Sequence, residues 1–162
     1  MPAGNLLADL GKATEGLWLM SEGDAKVIPL EAASSGSGAI SADEVRAAFG
    51  AKHDELMQGS DVWGYDNADY VPIADRFPEV RDASTWLGHY STSFDPDDTV
   101  SVANAAKWKT VGELMNAGLT NVSVIRFNER AAPADAITSS IFFVGRTADG
   151  KLVGVLSGAV ET

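Results

Sequence analysis

Cysteine is absent from the 162-residue chain, so disulfides and thiolate metal sites are excluded and nothing points to an oxidising compartment. Histidine occurs only at His53 and His89, which leaves little material for nucleophilic catalysis. The sequence holds no G-x-S-x-G, no G-x-x-x-x-G-K-[ST] and no G-x-G-x-x-G, so the nucleophile elbow and the phosphate-cradling loops are missing. No stretch free of Asp, Glu, Lys and Arg exceeds 12 residues, short of the roughly 18 needed to span a membrane. The opening Met1-Pro2-Ala3-Gly4-Asn5 has no basic region ahead of an apolar one, and Asp9 interrupts the first apolar stretch. A secretory signal is therefore not expected, and the cytoplasm is the expected location. Internal repeats and low-complexity tracts are lacking as well.

Bases are scarce relative to acids: 12 Lys and Arg against 23 Asp and Glu leave a net charge of −11. Direct nucleic-acid binding needs a basic footprint, so it is not expected. The excess is concentrated, because residues 54–98 contain 11 acids and only Arg76 and Arg81 as bases, a net −9. Such a segment reads either as a solvated loop region or as a surface meeting a basic partner, where complementary charge speeds encounter.

The length suits one domain covering residues 1–162. Leu6, Leu10, Ala13 and Leu17 recur at helical spacing and predict a first helix from Asn5, as N-cap, to about Leu19. Val27, Ile28 and Leu30 predict a strand over 25–32, with Pro29 suiting an edge or a bulge. Ser41-Ala-Asp-Glu44 is a capping box that starts a short helix. From Gly50 to Asp98 periodicity is poor, with short helices only near 54–57 and 84–90. Asp97, Asp98, Thr99 and Ser101 offer N-caps for a long helix to about Asn116, with Val100, Ala105, Trp108, Val111 and Met115 on its buried side and Gly118 as its stop. Val122–Phe127 predicts a strand. Ile137–Thr147 and Lys151–Val160 flank Ala148-Asp149-Gly150 as a hairpin, whose last strand carries the chain end to the rim of the sheet. This order of elements predicts an α+β protein, an α/β sandwich with a mostly antiparallel sheet.

Few constellations carry chemistry. His53-Asp54-Glu55 reads poorly as a metal site, because neighbours on a helix do not share a face. Asp95-Pro96-Asp97-Asp98 lacks the Gly and the distant Glu of a calcium loop and reads as helix capping. Trp18 and Trp108 fall on helical patterns and are expected in the core. Trp63 and Trp86 lie in the acidic segment, where an aromatic side chain either packs a loop or anchors a partner.

Gly16-Leu-Trp-Leu-Met-Ser21-Glu22 after an amphipathic helix, and Phe143-Val-Gly-Arg-Thr-Ala-Asp-Gly-Lys-Leu-Val-Gly-Val running on to Val160-Glu161-Thr162, resemble the nuclease A inhibitor family. Lys107-Trp108-Lys-Thr-Val and Val124-Ile-Arg126 follow in the same order. The resemblance implies a three-layer αβα sandwich with a mixed, mostly antiparallel sheet, like that of the plant pathogenesis-related proteins. It implies an inhibitor and not an enzyme, with no cofactor, whose partner is a metal-dependent endonuclease that cuts DNA and RNA without sequence preference. Glu22 and Thr162 match the family's inhibitory glutamate and C-terminal threonine. With Glu161 they would meet the partner, and Glu22 and Thr162 would approach the partner's metal in the complex. The family's tryptophan before an acidic run has Phe94 in its place here, ahead of Asp95, Asp97 and Asp98, with Trp86 eight positions earlier. The free protein is expected to be a monomer. An acidic binding module of the same fold with another partner, and a weak carboxylate-based hydrolase, are the alternatives.

Overall fold

A computed structural model of the chain describes residues 3–21, 23–64, 70–93, 95–129 and 137–161, and of residues 3, 4, 137 and 161 the backbone alone. Helix α1 (Ala3–Ala13) leads to strands β1 (Trp18–Leu19), β2 (Ala25–Lys26) and β3 (Ile28–Ala32). Helices α2 (Ala42–Gln58) and α3 (Ser60–Trp63), a 3-10 turn (Ile73–Asp75) and β4 (Phe77–Arg81) follow. Helices α4 (Ala83–Tyr90) and α5 (Thr99–Gly118) precede β5 (Thr120–Asn128), β6 (Ile137–Arg146) and β7 (Leu152–Glu161). Five strands form one sheet in the order β3-β7-β6-β5-β4, and β1 pairs with β2 in a small second sheet. Every pairing among the described strands is antiparallel, so the sheet is not mixed.

Alternation along the strands builds a core on each face. Val124, Ile141, Phe143, Val153 and Val155 meet Leu6 and Leu10 of α1, Leu87 of α4 and Trp108, Val111 and Met115 of α5. Ile125, Phe127, Phe142, Val144 and Leu156 face the other way, onto Val45, Phe49, Leu56 and Met57 of α2 and Val62 and Trp63 of α3. One sheet between two helical layers is the predicted three-layer α+β arrangement. Both edge strands carry a proline, Pro29 in β3 and Pro78 in β4. A residue with no N–H on the outer strand discourages edge-to-edge pairing.

Several elements differ from the sequence reading. The first helix ends at Ala13, because Thr14 Oγ1 bonds back to the Leu10 carbonyl at 2.8 Å and Gly16 takes φ +69°, a left-handed stop. Asn5 lies inside that helix and not at its cap. Leu17 and Leu19 are buried nonetheless, so the apolar spacing reported burial after the helix had ended. The capping-box helix is long, 17 residues, since Val45, Phe49, His53 and Leu56 keep one side buried straight through Gly50. Strand β4 lies in the segment read as irregular, its Phe77 and Val80 left exposed. Helix α5 starts at its Asp98 N-cap, whose carboxylate accepts the Val100 N–H at 3.0 Å, and Val100 is 65% exposed and not on the buried side. Strand β7 is interior to the sheet, between β3 and β6, and not at its rim.

Candidate functional site

Ser21 and Gly23 belong to the turn between β1 and β2. The Ser21 hydroxyl donates to the Gly23 carbonyl at 2.9 Å and accepts the Val160 N–H at 3.0 Å. A Cβ placed on Gly23 would stand 2.9 Å from Val160 Cγ2, so a side chain here would force Val160 to shift. A turn near the start of the chain is thereby fastened to the last strand, 139 residues away. Strand β3 stops pairing with β7 at Leu156; beyond it β7 continues to Glu161, paired with Ile137 on its other side. Glu22, Phe94 and Thr162 lie outside the described residues, as does the side chain of Glu161.

The approach to this turn is held by helix α5. Buried Asn104 uses both ends of its amide on Trp18, accepting the backbone N–H at 2.9 Å and donating to the carbonyl at 2.8 Å. The Trp108 indole N–H donates to the same carbonyl at 2.9 Å. Lys107 reaches the Glu15 carbonyl at 2.8 Å, and Ser157 Oγ donates to Lys26 O at 2.8 Å, which ties β2 down on β7. Asn104 and Ser21 were not singled out from sequence. A polar residue between Ala103 and Ala105 near a helix start carried no local signal, and Ser21 stood only within the Met-Ser-Glu motif.

The C-terminal end of α4 and the start of α5 close the same flank. Met20, His89, Tyr90, Thr92, Ser101 and Asn104 line a small groove there. Past Thr92, Ser93 Oγ lies 2.9 Å from Ser101 Oγ, which places the Asp95–Asp98 turn at the N-terminus of α5. Asp95 Oδ1 accepts the Asp97 N–H at 3.1 Å; Asp95, Asp97 and Asp98 are all exposed. Asp98 caps α5 and Asp95 closes the turn before it, and their charges remain at the surface.

Trp86 is half-buried on α4. Its ring lies 6.0 Å from that of Tyr90, with the Arg126 and Arg81 guanidinium carbons 5.3 and 5.9 Å from its centroid. Trp86, Thr85, His89 and Tyr90 border an open groove of about 240 Å³. Beneath it Arg126 donates to Ser139 Oγ at 2.9 Å, and Ser139 to Asn128 Oδ1 at 2.6 Å. Trp63, by contrast, is buried above Gly158 and serves packing. Trp18 is partly buried and belongs to neither core cluster.

Among the described residues, the acids of residues 54–98 do not share one face. Asp54, Glu55 and Asp61 sit on the α2–α3 layer, Glu79 on edge strand β4, and Asp82 and Asp95–Asp98 on the α4–α5 layer. Asp82 caps α4, and the Thr85 and Ser84 hydroxyls hold its carboxyl below the usual range.

Ser140, His53 and Asp54 form a hydrogen-bonded chain, with His53 Nε2 2.6 Å from Ser140 Oγ and Nδ1 2.8 Å from Asp54 Oδ1. Burial lowers the His53 pKa to about 4, so the ring is neutral near pH 7. Ser140 and His53 are both at 0% exposure, and Asp54 also accepts the Ile73 N–H at 3.0 Å. A hydroxyl sealed in the core meets no substrate, so this chain fastens α2 to β6. Glu55 points away, exposed and 3.6 Å from Lys52. Among the described residues no group of three or more His, Cys, Asp or Glu side chains is placed to hold a metal ion. Among them, too, no helix is long and apolar enough to cross a membrane.

No curated protein matches the chain. A family model described as nuclease A inhibitor-like protein matches residues 73–162, a span that contains β4, α4, α5, the β5–β7 strands and Thr162 but begins after Glu22. That span is more than half of the 162 residues, and the chain belongs to the nuclease A inhibitor-like family.

Proposed function

We propose that this chain is a protein inhibitor of a metal-dependent, sugar-non-specific endonuclease, a single domain that acts in the cytoplasm as a monomer and catalyses nothing itself. The observation that carries the reading is the hydrogen bond from the Val160 N–H to Ser21 Oγ. It joins the neighbours of Glu22 to those of Thr162, the two residues that the family resemblance would make inhibitory. In this mechanism Glu22, Glu161 and Thr162 enter the nuclease cleft together. Carboxylate and hydroxyl oxygens are hard donors suited to a divalent ion or its waters, so Glu22 and Thr162 take positions that substrate oxygens would occupy at the partner's metal. Trp86 or Phe94 supplies an aromatic contact, and Asp95, Asp97 and Asp98 face the basic wall that otherwise holds phosphates.

The test is inhibition of a panel of sugar-non-specific nucleases by the purified protein and by Glu22→Ala. Inhibition by the wild type, weakened at least tenfold in the variant at an unchanged melting temperature, supports the reading. A variant that inhibits like wild type removes Glu22 from the mechanism, and a wild type without effect on any nuclease of the panel removes the function.

A further inference from the structure

Strand β1 consists of Trp18 and Leu19 alone, paired with Lys26 and Ala25 of β2. Its two-stranded sheet is separate from the five-stranded one, and such a ribbon by itself is at best marginally stable. The place of the Ser21–Gly23 turn therefore depends on side chains that reach β1 and β2 from other elements. From β7 the Ser157 hydroxyl donates to the Lys26 carbonyl at 2.8 Å. From α5 come Asn104 and Trp108, both onto Trp18.

Asn104 is 8% exposed, and both ends of its amide serve the main chain of one residue. The oxygen accepts the Trp18 N–H at 2.9 Å and the nitrogen donates to the Trp18 carbonyl at 2.8 Å. A strand neighbour offers the same exchange at a hydrogen-bonded pair, so this side chain does for Trp18 what an adjacent strand would do. Only Asn and Gln present an N–H donor and a carbonyl acceptor side by side on one neutral group. The support is rigid, since α5 runs for 20 residues with Trp108, Val111 and Met115 at 0% exposure. The Trp108 indole adds a second donor to the same carbonyl at 2.9 Å, and Leu17 and Leu19 on either side of Trp18 are buried. The main chain is thus fixed three residues before Ser21. A binding constellation works when its supporting shell holds it within about 0.5 Å of the productive geometry.

We infer that Asn104 is a positioning residue for inhibition: it sets where the Ser21–Gly23 turn stands against β7, and through that turn where Glu22 meets the nuclease. This rests on the inhibitor reading and adds to it a residue that acts through the turn and not on the partner. The experiment measures melting temperatures, and inhibition constants against one nuclease that the wild type inhibits. The proteins are wild type, Glu22→Ala, and Asn104→Ala and Asn104→Asp, each alone and combined with Glu22→Ala. Asn104→Ala removes both bonds to Trp18. Asn104→Asp keeps the shape and the acceptor for the Trp18 N–H, so it folds even where the alanine variant does not, and it turns an oxygen toward the Trp18 carbonyl in place of a donor. Each change alone is expected to raise the inhibition constant at least about tenfold. With Glu22 already alanine the further rise is expected to stay below about twofold, because a residue that acts through Glu22 then has nothing to place. A merely structural role lowers the melting temperature and changes the inhibition constant by the same factor on both backgrounds. Equal factors, or folded Asn104 variants that inhibit like wild type, overturn the positioning role, while the loss caused by Glu22→Ala keeps the inhibitor reading. If Glu22→Ala itself inhibits like wild type, Glu22 leaves the mechanism and the positioning role falls with it.

Discussion

Replacing Ser21 by alanine separates position from stability. The hydroxyl accepts the Val160 N–H at 3.0 Å and donates to the Gly23 carbonyl at 2.9 Å. A hydrogen bond of this kind contributes about 0.5–1.5 kcal/mol net, more where a partner is left unpaired. Losing both is expected to cost about 1–3 kcal/mol. For a chain of this length each kcal/mol moves the melting temperature by about 2–4 °C, so the expected fall is about 2–12 °C. Domains are stable by about 5–15 kcal/mol, so nearly all of the variant remains folded at 25 °C, and instability alone does not change inhibition. Release of the turn from β7 does, because the residues on either side of the contact no longer share one geometry. Thermal unfolding and an inhibition constant are measured on the same preparation. The expected result is the modest fall in melting temperature together with at least a tenfold weaker inhibition. The same fall with an unchanged inhibition constant would mean that the turn and the chain end act without being joined.

Acidification tests the buried histidine. Because burial lowers the His53 pKa from 6.5 to about 4, the unfolded chain takes up a proton first. Stability is then present above pH 6.5 and lost as pH falls toward 4, by about 3 kcal/mol at the lower limit. Urea unfolding at pH 7.5 and 4.5 is expected to show a loss in wild type that His53→Gln reduces by about 2–3 kcal/mol, and equal losses in both proteins would disprove it. Gly158→Ala puts a methyl 2.5 Å from Trp63 Cζ2, which is expected to cost about 1–3 kcal/mol and to be largely relieved by Trp63→Leu. Calorimetry on the single and double variants checks this, and additive costs would mean that the indole is not the obstacle.

Sequence periodicity exposed four strands of the main sheet and helix α5 because those elements bury one side along their length. Phe142 and Phe143 turn to opposite cores, as alternation requires, and Trp108 to Met115 keep helical spacing. The same signal misplaced the end of α1, since Leu17 and Leu19 are buried from a different backbone conformation and only Gly16 marked the change. Strand β4 was hidden because it is an edge with Phe77 and Val80 exposed and Pro78 within it, leaving no apolar alternation to read. The proposed site was legible as two motifs. Their union was not, because it depends on a hydroxyl of Ser21 reaching a backbone N–H of Val160 and on an asparagine, Asn104, whose partners are main-chain atoms of Trp18. Contacts between a side chain and distant backbone leave no pattern in composition or spacing.

The most direct test of cleft blocking is the inhibition constant of the protein lacking Thr162, set against that of the full sequence on one nuclease. Terminal residues seldom contribute to stability, so the melting temperature is expected to stay close to wild type. If Thr162 blocks the cleft, the inhibition constant rises at least tenfold, which corresponds to about 1.4 kcal/mol. An unchanged constant in a folded protein would contradict it.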